Sequence, residues 1–130
     1  MKPKTPILLY CADENLLKSI AFRLRLEYYD VAAVRKPKSA MELAGGADTA
    51  LACGVIVHAQ RGDPAGRLIH LLIESGSRIP LLLVDRAGDL APVRYADMVL
   101  YGRNIGMSHI LAALDTLLRP LRRPKPGRTA

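Results

Sequence analysis

Pro6-Ile7-Leu8-Leu9-Tyr10-Cys11-Ala12-Asp13-Glu14-Asn15-Leu16-Leu17 joins two kinds of periodicity in one short stretch. Residues 6–11 form a continuous apolar run, the pattern of a strand covered on both faces. Ala12-Asp13-Glu14-Asn15 then supplies polar capping residues. Leu16, Leu17, Ile20, Ala21 and Leu24 follow at helical spacing, with Lys18, Arg23 and Arg25 outside that stripe. A buried strand therefore runs directly into an amphipathic helix.

The same alternation continues along the chain. Tyr28-Tyr29-Asp30 is expected to end the first helix, and Val31-Ala32-Ala33-Val34 to form a short second strand. After the Arg35-Lys36-Pro37-Lys38 loop, Ser39 and Glu42 have the spacing of a capping box, for a helix ending at Gly45-Gly46. Gly54 to His58 is a third strand rich in β-branched residues. Gln60 to Gly66 reads as a loop, and Leu68, Ile69, Leu71, Leu72 and Ile73 as a helix closing near Ser75-Gly76. Ile79 to Val84 is a fourth strand with Pro80 at its entrance. Leu90 to Tyr95 leaves room for about one helical turn. Met98 to Tyr101 is a fifth strand, and His109 to Leu118 marks the last helix.

Five strand–helix units in 130 residues fit one domain. Short connections make the sheet parallel, with helices on both faces. The expected fold class is thus α/β: a flavodoxin-like (βα)5 doubly wound sheet, strand order 2-1-3-4-5, with a shortened fourth helix. The expected domain spans 1–119, followed by a basic, disordered tail over 120–130. Pro120, Pro124, Pro126 and Gly127 oppose helix in that tail.

Half of the residues are hydrophobic, but there is no Trp and one Phe, so the core is aliphatic. No apolar run is long enough for a membrane span, and Ile7 to Tyr10 is too short for a signal-peptide core. A cytoplasmic location is expected, and the starting Met1 and basic tail suit a stand-alone unit. Cys11 and Cys53 sit in or beside apolar runs, outside any CxxC pair, and read as buried thiols. The net charge is +7. The surplus gathers in Arg119, Arg122, Arg123, Lys125 and Arg128, in Arg35, Lys36 and Lys38, and in Lys2 and Lys4. Such tails and loops give solubility, or a generic attraction to nucleic acid.

In open parallel sheets ligands sit at the carboxyl ends of the strands. There the chain resembles the receiver domain of bacterial response regulators. The opening Ile7 to Leu17 resembles the receiver's strand, acid pair and Leu-rich helix. Ser39-Ala40-Met41-Glu42-Leu43 resembles the second helix, and Gly66 falls where receivers keep a glycine. Ile79 to Val84, Gly88-Asp89 and Ala96 to Leu100 resemble the fourth strand, its loop and the approach to the fifth. The resemblance covers residues 6–118.

A receiver accepts a phosphoryl group on an aspartate. The resemblance implies two acids after strand one for Mg²⁺ and an aspartate after strand three. It further implies Thr or Ser after strand four and Lys after strand five. This chain departs at all of them. Cys11 and Ala12 stand at the acid pair, His58 at the phosphoacceptor, Asp85 at the Thr/Ser position and Gly102 at the lysine. Arg103 takes the place of the proline that usually follows. A slip of one residue would bring Asp13 into the pair but restore no aspartate after strand three; the nearest, Asp63, lies in the loop.

Several readings follow. His58 is a tolerated replacement of a lost aspartate, a phosphohistidine, or a metal ligand with Cys11 and Asp85. His70 and His109 read as surface residues. Asp13 and Asp85 could pair with Arg86 or Arg103. With ten residues between Asp85 and Ala96, the output face is remodelled, and Arg86, Arg94, Tyr95, Tyr101 and Arg103 are the candidate partner contacts. Gly45-Gly46 and Gly62 to Gly66 match no phosphate-binding turn.

The leading expectation is a non-enzymatic signalling or adaptor protein. It would bind a signalling or regulatory protein without aspartyl phosphorylation and with no cofactor. A second copy of the chain is a further candidate partner. The alternatives are a nucleic-acid-associated regulator acting through the basic tail, and a small-ligand or metal sensor using the vacated pocket.

Overall fold

The computed structural model describes residues 4–88 and 96–122, with side chains up to Arg119. Five strands alternate with helices: β1 (Thr5–Cys11), β2 (Tyr29–Val34), β3 (Cys53–His58), β4 (Leu81–Asp85) and β5 (Met98–Tyr101). The described helices are α1 (Glu14–Leu26), α2 (Pro37–Ala44), α3 (Ala65–Glu74) and α4 (Met107–Arg122). All strand pairs are parallel, in the order β2-β1-β3-β4-β5. The expected sheet and strand order are therefore those observed. The short helix expected over Leu90–Tyr95 lies outside the described residues.

Strand alternation divides the core in two. Ile7, Leu9, Cys11, Val55, Val57, Leu82 and Val84 face α1 and α4. Leu8, Tyr10, Ile56, Leu81 and Leu83 face α2 and α3. Successive side chains of a strand point to opposite faces, so a strand buried on both sides must be apolar throughout. That is why β1, β3 and β4 read as continuous hydrophobic runs. Each fully buried Leu or Ile contributes roughly 1.5–3 kcal/mol of transfer free energy. β5, at the sheet edge, is only partly covered, and its last residue Tyr101 is exposed.

Element boundaries differ from the expectation in several places; β4, for example, begins at Leu81 rather than Ile79. α1 stops at Leu26, and Tyr28 takes φ 65°, the left-handed geometry of a helix C-terminus. That turn releases Tyr29 and Asp30 into β2, where they pair with Thr5 and Pro6. α2 begins at Pro37 rather than after Ser39. Pro37 occupies the first helical turn, where its missing N–H costs nothing, and no side-chain cap forms. α4 continues through Pro120 to Arg122, past the expected boundary at 119. Residues 123–130 lie outside the described part.

Candidate functional site

The carboxyl ends of β1, β3 and β4 meet in one row, because Cys11 pairs with Val57 and His58 with Asp85. Asp85 in turn pairs with Tyr101 of β5. The row is tightly bonded behind these residues. The Arg86 N–H donates to the His58 carbonyl at 3.0 Å, and the Gly102 N–H to the Asp85 carbonyl at 3.0 Å. Gly102 has φ 124°, so the turn that follows β5 needs a residue without a Cβ.

His58 and Asp85 are buried, at 1% and 0% exposure. The Asp85 carboxylate is turned onto its own loop, where Oδ1 accepts from the Gly88 N–H at 2.8 Å. Cys11 is also buried, but on the other side of the sheet. It packs with Ile7 and Leu9, whereas alternation from Ile56 and Val57 sends His58 to the α2–α3 face. Burial pushes the Cys11 thiol up to about 11. The alternative in which Cys11, His58 and Asp85 converge as metal ligands is not supported by these faces, and no metal-binding group of three or more His, Cys, Asp or Glu occurs among the described residues. Ala12 is half-buried against the α2–α3 core.

Asp13 does not enter the site either. Its Oδ1 accepts from the Leu16 N–H at 3.0 Å and caps α1. The suggested pairing of Asp13 with Arg86 or Arg103 gives way to this local bond, which needs no long side chain to be ordered. Arg86 is half-buried, and its Nη1 donates to the Ile105 carbonyl at 3.3 Å. Tyr101 and Arg103 are exposed. Arg94 and Tyr95 lie outside the described residues.

The residue whose role the sequence did not reveal is Asp63. Its Oδ1 accepts from the Tyr10 hydroxyl and from the Ala65 N–H, both at 3.0 Å. Its Oδ2 accepts from the Ala59 N–H at 3.1 Å. One carboxylate thereby ties the end of β1 to the end of β3 and to the start of α3. The local signal was Asp63-Pro64 just ahead of a helix; the Tyr10 contact had none.

Between the ends of β3, β4 and β5 lies a cavity of about 480 Å³, lined among the described residues by Ala59, Gln60, Arg61, Arg86, Ala87 and Arg103. Three of these described lining residues are arginines.

No protein-family model matches the chain, and no curated protein matches it in sequence. Solved structures do match in fold. A response regulator receiver domain protein from Clostridium thermocellum superposes with a TM-score of 0.76 at 11% identity, over 91% of this chain and 97% of that one. The receiver domain of a Francisella response regulator gives 0.75 at 12% identity, over 92% and 100%. A structure described as adenylate cyclase from Rhodopirellula baltica gives 0.74 at 17% identity, over 89% and 88%. The chain has the receiver fold. No described helix is long and apolar enough to cross a membrane.

Proposed function

We propose that this chain is a cytosolic, receiver-like signalling module that acts by binding a protein partner and carries out no aspartyl phosphorylation. The observation that carries this reading is the residue closing β3. It is His58, 1% exposed and in register with Asp85, where receivers hold the accepting carboxylate. Phosphoryl transfer to aspartate requires a carboxylate as nucleophile and a cation to neutralise the charge on the phosphoryl oxygens. With Cys11 and Ala12 at the acid pair, the side chains suited to Mg²⁺ are replaced by a thiol and a methyl group.

The fold likeness to receiver domains supports signalling as the role, and the exposed Tyr101 and Arg103 beside the sheet edge support a binding face there. The domain then works as a constant docking surface. The test is an amide NMR spectrum recorded with beryllofluoride and Mg²⁺, which mimic an aspartyl phosphate. The expected result is an unchanged spectrum at residues 11–13, 58–60 and 85–88. Specific, saturable shifts there would sink the proposal. Tyr101→Ala with Arg103→Ala is expected to abolish capture of a native protein partner while leaving the fold intact.

A further inference from the structure

The sheet has a free edge at β2, which pairs with β1 alone. The Ala52 N–H donates to the Pro6 carbonyl at 2.7 Å, so the even-numbered residues of β1 turn their backbone groups to β3 and the odd-numbered ones to β2. Ile7 is in register with Val31. Its backbone therefore bonds to Asp30 and Ala32, and the backbone groups of Val31 and Ala33 turn outward. Arg25 Nη2 donates to the Val31 carbonyl at 3.0 Å. The Val31 N–H and both backbone groups of Ala33 have no partner among the described residues. Such an edge is a template for a further strand.

α1 runs back along this edge. Its first turn reaches the far end of β2, where Arg35 Nη1 stands 3.9 Å from Glu14 Oε2, and its last turn reaches the middle of the strand through Arg25. Glu14, Lys18, Phe22 and Leu26 follow one another at four-residue spacing, so they form one row along the helix. Lys18 Nζ lies 3.3 Å from Glu14 Oε1 at the start of that row. Phe22 and Leu26, 65% and 55% exposed, continue it, and Tyr28, 77% exposed, sits in the turn between α1 and β2. Their exposed area is roughly 300–400 Å² per copy, about half of the ~800 Å² per partner of a standard interface. The strand edge and the remainder of the row supply further area.

We infer that two copies of this chain associate across their β2 edges, the strands antiparallel about a two-fold axis, with Phe22, Leu26 and Tyr28 of both copies covered by the contact. Charge favours a second copy as the occupant. α1 presents Glu14 at one end of this side and Arg25 at the other. A two-fold axis reverses one helix against its mate and sets Glu14 of each copy beside Arg25 of the other. Because α1 runs back along β2, the axis that reverses α1 about its middle also reverses β2 about Val31 and Ala32. Arg25 then exchanges the Val31 carbonyl for a carboxylate, and that carbonyl accepts from the second strand. The face lies at the opposite edge of the sheet from Tyr101 and Arg103, so the dimer and the docking reading above stand or fall separately.

The test is sedimentation equilibrium of the whole chain from about 10 µM to about 1 mM, with amide hydrogen exchange at both ends of that range. Expected is a reversible monomer–dimer equilibrium, with the Val31 and Ala33 N–H groups exchanging at least about tenfold more slowly in the concentrated sample. Phe22→Glu, at an exposed position, weakens association at least about tenfold and leaves the circular dichroism spectrum unchanged. Glu14→Arg and Arg25→Glu each weaken association, and the two together restore it, as the antiparallel register requires. Tyr101→Ala with Arg103→Ala leaves it unchanged. The inference is overturned by a monomer throughout the range, or by exchange at Val31 and Ala33 that does not depend on concentration. A dimer that Phe22→Glu does not weaken, that the double charge swap does not restore, or that the Tyr101 and Arg103 substitutions dissolve would overturn it equally.

Discussion

The Tyr10 hydroxyl donates to Asp63 Oδ1 at 3.0 Å, joining the end of β1 to the loop that leads into α3. Tyr10 is fully buried, and its ring packs in the α2–α3 core with Leu68 and Ile69. Its phenol is raised well above the ordinary 10.0, chiefly by burial and then by the charge of Asp63. It is therefore a permanent donor to a carboxylate that also holds two backbone N–H groups. Tyr10→Phe is expected to cost about 1–2 kcal/mol in urea unfolding, because it removes a bond to a charged acceptor. Asp63→Ala costs more, since Ala59 and Ala65 lose their acceptor too. A double-mutant cycle should return a coupling of about 1 kcal/mol; full additivity would contradict the link.

The two buried thiols make stability depend on alkaline pH. Burial raises Cys11 from 9.0 to about 11 and Cys53 to about 12. Both folded values lie above the unfolded one, so the native state retains protons that the unfolded chain releases. The contribution is complete below pH 9.0 and is lost as pH rises toward 11–12. The expected slope is at most about 1.4 kcal/mol per pH unit for each thiol. Urea midpoints measured from pH 8 to 10.5 should fall, and Cys53→Ala should flatten the fall even while lowering the midpoint at pH 8.

The same burial sets reactivity. Both cysteines are fully buried and free, and the thiolate is the reactive form. Ellman's reagent at pH 8 is expected to label neither in the folded protein within minutes, and both at once in denaturant. Rapid labelling of Cys11 under native conditions would show that the end of β1 opens.

Tyr28 has φ 65° and is 77% exposed. Its N–H closes the end of α1 by bonding to the Arg25 carbonyl at 3.0 Å. A side chain in left-handed geometry is strained by roughly 1–2 kcal/mol, which glycine avoids. Tyr28→Gly is expected to raise stability by about 0.5–1 kcal/mol once the greater freedom of the unfolded glycine is deducted. Tyr28→Ala, which keeps the Cβ, should not.

His58→Asp tests the strand-end chemistry from the other direction. It places a second carboxylate in register with buried Asp85. Unfolding free energy should fall by roughly 3–5 kcal/mol at pH 7. Beryllofluoride with Mg²⁺ should still produce no NMR response, because Ala12 remains. A response from this single substitution would mean that the metal position survives.

The order of elements and the covered, parallel sheet were legible in residues such as Ile7 to Cys11 and Val55 to Val57, and the strand order followed from the pattern of five strand–helix units. Hydrophobic periodicity is a local property, and it records how many faces of each element are covered. The identities at the strand ends were legible for the same reason: once the strands are located, Cys11, Ala12, His58, Asp85 and Gly102 follow by counting. Caps were less legible, since Ser39-Glu42 and Pro37 both carry start signals and only the surrounding chain chooses between them.

What the side chains at those ends do was decided by the tertiary structure. Alternation across a folded sheet places Cys11 and His58 on opposite faces, although both end central strands. Asp63 finds Tyr10 across 53 residues of chain. Arg61, Arg86 and Arg103 share a cavity only because β3, β4 and β5 lie side by side and their loops leave the same edge. Periodicity specifies a face, whereas convergence requires that separate loops arrive at one point in space.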